Sequence, residues 1–310
     1  MKNKIVILDA LTLGDDVDLL SFKEFGELKI YQTTTYEETI KHIDDANIVI
    51  TNKVVIDKSI IDKTDIDLIC IAATGMNNID LDYAKQKNIV VKNVKGYSTA
   101  SVTQLTFSFA LNFLQKLNYF DNYVKSKQWC DSPVFTNLSQ VFSELDNKTW
   151  GIIGLGAIGE NVAKIAKTFG CYVQYYSTSG MNKNTNYDMV SLETLLKTSD
   201  IISIHAPLND TTNNLLNKTN LKYIKDGSII LNLGRGGIVN EADIANEVDK
   251  REIYFGTDVV SKEPIEKDNP LLKVVNKDRV LYTPHIGWAS RESRIRLIEY
   301  IKENIKEFLL

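Results

Sequence analysis

Residues 151–170 read GIIGLGAIGENVAKIAKTFG. The apolar run Gly151 to Ile153 leads into Gly154, Gly156 and Gly159 at G-x-G-x-x-G spacing, and a helical pattern with Val162, Ile165 and Ala166 follows. Each glycine has its own reason in a loop that meets a dinucleotide. Gly154 permits the tight turn, Gly156 lets backbone approach a pyrophosphate, and Gly159 lets helix and strand pack closely. Leu155, Ala157 and Ile158 supply backbone to the same turn, where free N–H groups stand at the positive end of a helix. A glycine-rich turn between core elements is the plainer reading. With a strand before and a helix after, the stretch reads as a dinucleotide site for NAD or NADP.

Outward from this loop, short β-branched runs alternate with helical patterns, which predicts parallel α/β layers. Downstream, the candidate strands are Tyr172 to Tyr176, Ile201 to Ile204, Ser228 to Leu233, Phe255 to Asp258 and Val280 to Tyr282. Upstream, they are Ile5 to Leu8, Ile48 to Thr51, Leu68 to Ala72 and Ile89 to Lys92, with helical spacing in Tyr36 to Ile43. One long helical segment is expected from Thr99 to Trp129, where Val102, Leu105, Phe109 and Phe113 recur at three- or four-residue steps. In the last segment, Ile295, Ile298, Ile301 and Ile305 keep helical steps. The pattern gives two α/β domains with a boundary near residue 100, and no tandem repeat.

The 310 residues suit two domains, and 44% hydrophobic with 25% charged residues is a globular composition. A net charge of -4 offers no global positive field to nucleic acid or an anionic membrane. Cys70, Cys130 and Cys171 lie far apart without metal-ligand spacing, and their odd number points to reduced thiols in a cytoplasmic setting. The N-terminal MKNKIVILDA meets Asp9 too soon for a secretory leader and reads as a first buried strand. No apolar stretch reaches the roughly 18 residues that span a bilayer.

After the second strand of this series, an acid is expected to bind the adenosine ribose of NAD. Here the strand ends Tyr175-Tyr176-Ser177-Thr178-Ser179, with Lys183 nearby. A neutral hydroxyl rim does not repel a 2′-phosphate, and Lys183 is either an attractor for one or simply a solvated loop lysine. NAD and NADP both stay open.

Three further segments place polar residues at strand ends. SIILNLGRGGIVNE sets Arg235 in a glycine-flanked turn, FGTDVVSKEP carries Asp258 and then Glu263, and VLYTPHIGWAS holds His285 between Pro284 and Gly287. Ligands of open α/β sheets bind beyond the carboxyl ends of strands, so the three segments are placed to converge. Arg235 offers a planar fork of donors to a carboxylate and a carbonyl oxygen. A charged His285 gives a proton to a carbonyl oxygen, and Glu263 orients its ring. Singly, each has a plainer reading: a turn-capping arginine, a surface acid, a structural histidine. His42 reads as a surface residue, and His205 in IISIHAPL as pocket lining. No G-x-S-x-G nucleophile and no metal cluster is seen.

These segments together resemble the D-isomer-specific 2-hydroxyacid dehydrogenase family, over GLGAIG, SDIISIHAPLNDTTNNLLN, NLGRGGIVNE, DVVSKEP and TPHIGWAS. The resemblance covers nearly the whole chain. It implies that Arg235 anchors substrate, and that His285 with Glu263 is the acid/base pair. It also implies Asp258 at the nicotinamide end, with His285 and Gly287 beside it. His205, Ala206, Pro207 and Thr212 would border the adenosine side, and Leu233 and Gly234 would line the cofactor by backbone. TNKVVID, AATGMNNIDLDYA, VKGYSTASVTQ and PHIGWAS are similar to the glycerate dehydrogenase (hydroxypyruvate reductase) branch. That likeness implies Thr74, Gly75 and Met76 as the substrate-carboxylate loop, with Lys53 at its edge, although Met76 stands where Thr is usual. Asn77 and Asn78 read as turn chemistry, and Trp288 as pocket wall or helix anchor.

The implied architecture is two Rossmann-like parallel-sheet lobes with a cleft between. The flavodoxin-like substrate lobe would be 1–98 plus 286–310, and the dinucleotide lobe 99–285. A homodimer built through the segment after Thr99 is also implied. The implied reaction moves a hydride between nicotinamide and a small 2-keto or 2-hydroxy acid, hydroxypyruvate/D-glycerate foremost. A family member acting on glyoxylate, pyruvate or a bulkier 2-keto acid is one rival, and an NADH-sensing corepressor-like protein is the other.

Overall fold

A computed structural model describes residues 3–182 and 184–310, so Lys183 lies outside the described residues. The chain forms two compact units: the residues up to Ser98 with Trp288–Leu310, and Thr99–Gly287.

The first unit holds β1 (Asn3–Ile7), β2 (Gly26–Ile30), β3 (Ile48–Thr51), β4 (Leu68–Ile71) and β5 (Val90–Lys92), with α1 (Thr39–Ile43), α2 (Lys58–Ile61) and α3 (Leu81–Gln86) between them. All pairings are parallel in the order β2-β1-β3-β4-β5, the flavodoxin-like arrangement with its topological switch between β1 and β3. β3 and β4 are buried along their whole length, as covering both faces of a parallel sheet demands. Alternate residues face opposite cores. Ile5, Ile7, Ile48, Ile50 and Cys70 meet one cluster, and Val6, Leu8, Val49, Ile69 and Ile71 the other. The sequence pattern passed over β2. It is an edge strand, and Glu27 and Lys29 break the apolar run that marks the inner strands.

The chain's last helix joins this unit, which periodicity alone did not show. Leu297, Ile298, Ile301 and Ile305 pack on the Ile7 and Cys70 face, whereas Ile295 is exposed despite its helical step. Ser290 caps this helix by accepting the Ser293 N–H, and the Ser293 hydroxyl donates to the Tyr97 carbonyl at 3.3 Å. Trp288 packs edge-on against Tyr97 with centroids 6.3 Å apart, against the core that the helix covers.

The second unit begins with α4 (Thr99–Gln115) and α5 (Leu117–Lys125). These correct the single segment expected from Thr99 to Trp129. Lys116 adopts a left-handed conformation, φ 52°, and its ammonium lies over the Tyr254 ring at 4.3 Å and donates to the Tyr254 hydroxyl at 2.9 Å. The sheet contains β6 (Thr149–Ile153), β7 (Tyr172–Tyr176), β8 (Asp188–Met189), β9 (Ile201–Ile204), β10 (Ile229–Asn232), β11 (Tyr254–Thr257) and β12 (Val280–Tyr282). Crossovers include α6 (Ala157–Thr168), α7 (Leu192–Thr198) and α8 (Glu241–Lys250), and α9 (Arg291–Leu309) is the returning helix of the first unit. The parallel order is β12-β11-β10-β9-β6-β7-β8. The ends of β6, β7, β9, β10, β11 and β12 therefore present their following loops at one edge.

Trp150 of β6 is fully buried beside Phe107 of α4, with centroids 4.8 Å apart, and its indole N–H donates to the Ser203 hydroxyl at 2.9 Å. Trp150→Phe removes both volume and the donor, leaving Ser203 buried without that partner. The expected loss is about 2–3 kcal/mol, read as a lower midpoint in urea unfolding. An unchanged midpoint shows that this packing contributes nothing to stability.

Candidate active site

The glycine loop has the shape its spacing demands. Gly154 has φ 91°, and a Cβ there would come within 2.8 Å of the Ala206 nitrogen at the end of β9. A Cβ on Gly159 would strike the Gly154 carbonyl, so this glycine is what lets α6 close onto β6. Gly156 caps α6 with no side-chain hydrogen bond, and nothing lies within 4 Å of where its Cβ would be. That open space stands at the positive end of a 12-residue helix, beside backbone of Leu155, Ala157 and Ile158.

Ser177 follows β7, is 9% exposed, and accepts the Asn182 N–H at 3.3 Å. The Asn182 side chain donates to the Leu155 carbonyl at 2.5 Å, tying the loop after β7 to the glycine loop. Sequence reading overlooked Asn182, since an Asn in a polar loop carries no pattern. The segment 177–182 reads Ser-Thr-Ser-Gly-Met-Asn and contains no carboxylate.

His205 follows β9. Its ring nitrogens are both covered, although the residue keeps some exposed surface, and neither has a hydrogen-bond partner among the described residues. Burial pushes its pKa down to about 3, so the ring is neutral near pH 7. Uncommitted buried nitrogens, the uncapped start of α6 and the space over Gly156 together fit a nicotinamide dinucleotide. Ala206 is buried beside the loop, and a Cβ on Gly234 would come within 2.8 Å of its carbonyl. Thr212 is different: it is fully buried, its hydroxyl donates to the Pro207 carbonyl at 2.6 Å and accepts the Asn209 N–H at 2.8 Å. Its polar group holds the 207–212 loop together.

Beyond β10, Leu233 is 7% exposed and Arg235 is exposed in its turn. Buried Asn232 builds that turn, donating to the Arg235 carbonyl at 3.0 Å and accepting the Gly234 N–H at 3.2 Å. The Arg235 guanidinium donates to the Gly234 carbonyl at 2.8 Å through one nitrogen.

Asp258 organises the next strand end. It is 4% exposed, and its carboxylate accepts the Thr283 hydroxyl at 2.6 Å and the N–H groups of Ile286 at 2.8 Å and Gly287 at 2.7 Å. Burial pushes its carboxyl up, against hydrogen bonds that favour the anion. These bonds explain why Ile286 and Gly287 belong to the second unit, so the division falls after 287 and not at 286. They also hold His285 at φ 54°, a left-handed conformation unusual for a side chain of this size, with its N–H on the Asp258 carbonyl at 2.9 Å. The outcome is a short contact: His285 Nδ1 lies 2.6 Å from Glu263 Oε2.

In the first unit, Asp9 after β1 is 5% exposed and accepts the N–H groups of Asn52, at 2.9 Å, and Lys53, at 2.7 Å. The loop after β3 is thereby fixed, with Lys53 exposed. Asn78 continues the assembly by donating to the Val54 carbonyl at 2.8 Å, the turn role expected of it. Thr74 donates its hydroxyl to the Val94 carbonyl at 2.9 Å, Gly75 follows, and Met76 packs on the core. An open hollow of about 610 Å³ is lined by Thr74, Gly75, Met76 and Asn77, and Asp80 and Asp82 form its other wall.

Among the described residues no group of three or more His, Cys, Asp or Glu stands together for a metal, and no helix is long and apolar enough to cross a membrane. Burial pushes the Cys70 thiol up to about 12 and Cys171 up to about 11, far from a reactive thiolate.

Residues 107–287 match the family D-isomer specific 2-hydroxyacid dehydrogenase, NAD binding domain. The chain belongs to this family. A hydroxypyruvate reductase of Blautia hydrogenotrophica is 38% identical, across 99% of this chain and 97% of that protein. A glycerate dehydrogenase of Methylorubrum extorquens is 31% identical, across 100% of this chain and 97% of its own length. Among solved structures, D-lactate dehydrogenase from Aquifex aeolicus, complexed with NAD and lactic acid, is 26% identical with a TM-score of 0.84, across 99% of this chain and 95% of that one. Two parallel-sheet α/β units are the family's architecture, and the matched stretch of this chain is the family's NAD-binding part.

The buried neutral His205 has a consequence for acid stability. Unfolding returns the ring to its ordinary pKa of 6.5, whereas the folded ring resists protonation down to about 3. Between those values the unfolded chain binds the extra proton, so stability rises with pH through this window and its share is complete above 6.5. Denaturant unfolding of parent and His205→Asn across that range is expected to show a shallower acid decline in the variant. Parallel declines would remove the buried neutral histidine as a cause.

Proposed function

We propose that this chain is a nicotinamide-dependent reductase of small 2-keto acids that converts hydroxypyruvate to D-glycerate. The observation that carries the reading is the 2.6 Å contact of His285 with Glu263, on the strand edge that also bears the glycine loop. The named activities of the Blautia and Methylorubrum relatives support the substrate.

The proposed cofactor residues are Gly154 to Gly159, Ser177, His205, Ala206, Pro207, Thr212, Leu233, Gly234, Asp258, His285 and Gly287. NAD(P)H held by these residues would supply the hydride for the keto carbon and leave oxidised as NAD(P)⁺. His285 gives the balancing proton to the keto oxygen. With Nδ1 held by Glu263, that duty falls to Nε2. Glu263 orients the ring for that transfer through its contact with Nδ1. Arg235 holds the substrate carboxylate and the oxygen on which charge develops, through two donors of its planar fork. In the first unit, backbone N–H groups of Thr74, Gly75 and Met76 are assigned to the carboxylate and Lys53 to the substrate's edge. At Ser177 no carboxylate repels a 2′-phosphate, so the rim leaves NADPH as well as NADH open as the cofactor.

The partner proposed for the protein is a second copy of itself. α5 buries none of its residues, and Phe135 and Val141 beyond it are 88% and 84% exposed. Leu117, Phe120, Tyr123, Trp129 and Phe142 line a mostly apolar cavity of about 340 Å³ in the same arm. So large a patch calls for cover. A cytoplasmic location fits the three unpaired cysteines.

Hydroxypyruvate-dependent loss of absorbance from NADH or NADPH is the primary test. His285→Ala is expected to cut kcat by roughly 10²- to 10⁴-fold, far more than it alters NADH affinity followed by fluorescence. Parental turnover in that variant removes the proton-donor assignment, and no oxidation of either cofactor removes hydroxypyruvate as substrate. Light scattering is expected to give twice the chain mass, falling to a single chain in Phe135→Glu/Val141→Glu. A monomeric parent overturns the dimer.

A further inference from the structure

Glu263 sits in a connection with no hydrophobic hold. Ser261 to Asp268 are all exposed, and no regular element crosses this stretch. Yet the carboxylate must meet an imidazole nitrogen at 2.6 Å. Val260 supports it locally, donating its N–H to Glu263 Oε1 at 3.2 Å. One residue grips the connection on both sides of Glu263, and it comes from the start of α8.

Glu241 Oε1 accepts both the N–H of Ser261, at 2.6 Å, and its hydroxyl, at 2.8 Å. Its other oxygen accepts the Asn269 side-chain N–H at 2.7 Å. Asn269 is 9% exposed, and its own oxygen accepts the Leu271 N–H at 2.9 Å. That bond sets the amide's orientation, so its NH₂ faces Glu241. Leu271 is in turn buried in the core. The two carboxylate oxygens thus clamp the two ends of the exposed connection to one helix. Gly236 adds close approach from the same turn, since a Cβ there would strike the Val260 carbonyl.

Helix stability does not account for Glu241. Asn240 already caps α8 by accepting the Asp243 N–H, and Asp243 supplies a second acid to the first turn.

We propose that Glu241 is a positioning residue: it fixes the 261–269 connection so that Glu263 reaches His285 Nδ1 and selects one tautomer of the ring. This inference rests on the acid/base pair of the proposed function. It adds a residue whose effect travels through the connection it holds, at the Ser261 N–H and hydroxyl and at the Asn269 side chain.

The chain's three histidines make imidazole nitrogen spectroscopy a direct readout, with signals assigned by single-site variants. In the parent at alkaline pH, the neutral His285 ring is expected as the Nδ1–H tautomer, donating to Glu263. In Glu241→Ala the signal is expected to move toward the Nε2–H form that histidine prefers in water, in the direction set by Glu263→Gln. Turnover should fall roughly 10- to 100-fold with NADH affinity unchanged. Glu241→Gln should lose less, because its oxygen still serves Ser261 while its NH₂ opposes that of Asn269. If Glu241→Ala fails to fold, Asn269→Asp tests the clamp from its other end. One Asp oxygen still serves Leu271, and the other repels Glu241.

A shifted tautomer in Glu263→Gln with a parental signal and turnover in the Glu241 and Asn269 variants overturns the positioning role while leaving the pair intact. A parental signal and turnover in Glu263→Gln itself overturns the pair, and the present inference falls with it.

Discussion

The carboxylate of Asp258 receives a hydroxyl and two backbone N–H groups while almost wholly buried. A buried anion is costly unless its lone pairs are filled, so this arrangement has little freedom to relax. It bends the chain after β12, holds His285 in a left-handed conformation, and keeps Ile286 and Gly287 with the second unit. Gly287 is part of the same constraint, since a Cβ there would come within 2.7 Å of the Asp258 oxygen. The imidazole's direction follows from that turn.

The same device recurs elsewhere. A polar side chain, placed by a strand end or helix start, accepts N–H groups from a loop distant in sequence. Asp9 does this for Asn52 and Lys53, and Asn232 for its own Gly-Arg-Gly turn. Loops carry the polar chemistry in this fold because they alone emerge at the carboxyl edge, but loops have weak hydrophobic anchorage. Buried or half-buried acceptors supply the missing rigidity. The groups proposed to meet a ligand behave differently: Arg235 is exposed, the start of α6 has no side-chain cap, and the His205 nitrogens have no protein partner among the described residues.

Membership of the D-2-hydroxyacid dehydrogenase family accounts for the architecture, and the local chemistry shows where this chain has its own character. At the end of β7 stands Ser177, tied to Asn182, where an acid would otherwise hold a ribose. The arm after Lys116 carries its apolar residues outward.

Much of this was legible in the residues themselves. Inner strands such as Ile48–Thr51 and Ile201–Ile204 declare themselves because a parallel sheet buried on both faces requires largely apolar runs. The glycine loop is legible because backbone approach and tight packing leave glycine as the residue that fits. Arg235, Glu263 and His285 stood out because charged and titratable groups beside apolar strands are chemically conspicuous. The edge strand Gly26–Ile30 and the break at Lys116 were not legible, and the return of the last helix to the first unit was implied by the family resemblance and not by periodicity. They depend on which surface each segment finds, and periodicity records only that a segment has an apolar face. Nor did any local pattern mark Asp9, Asn182 or Glu241, which act across tens of residues of chain. Residue type and spacing determined the strands, the glycine turn and the chemistry at hand; only the tertiary structure decided which carboxylate holds which loop, because that choice is made by distance in space.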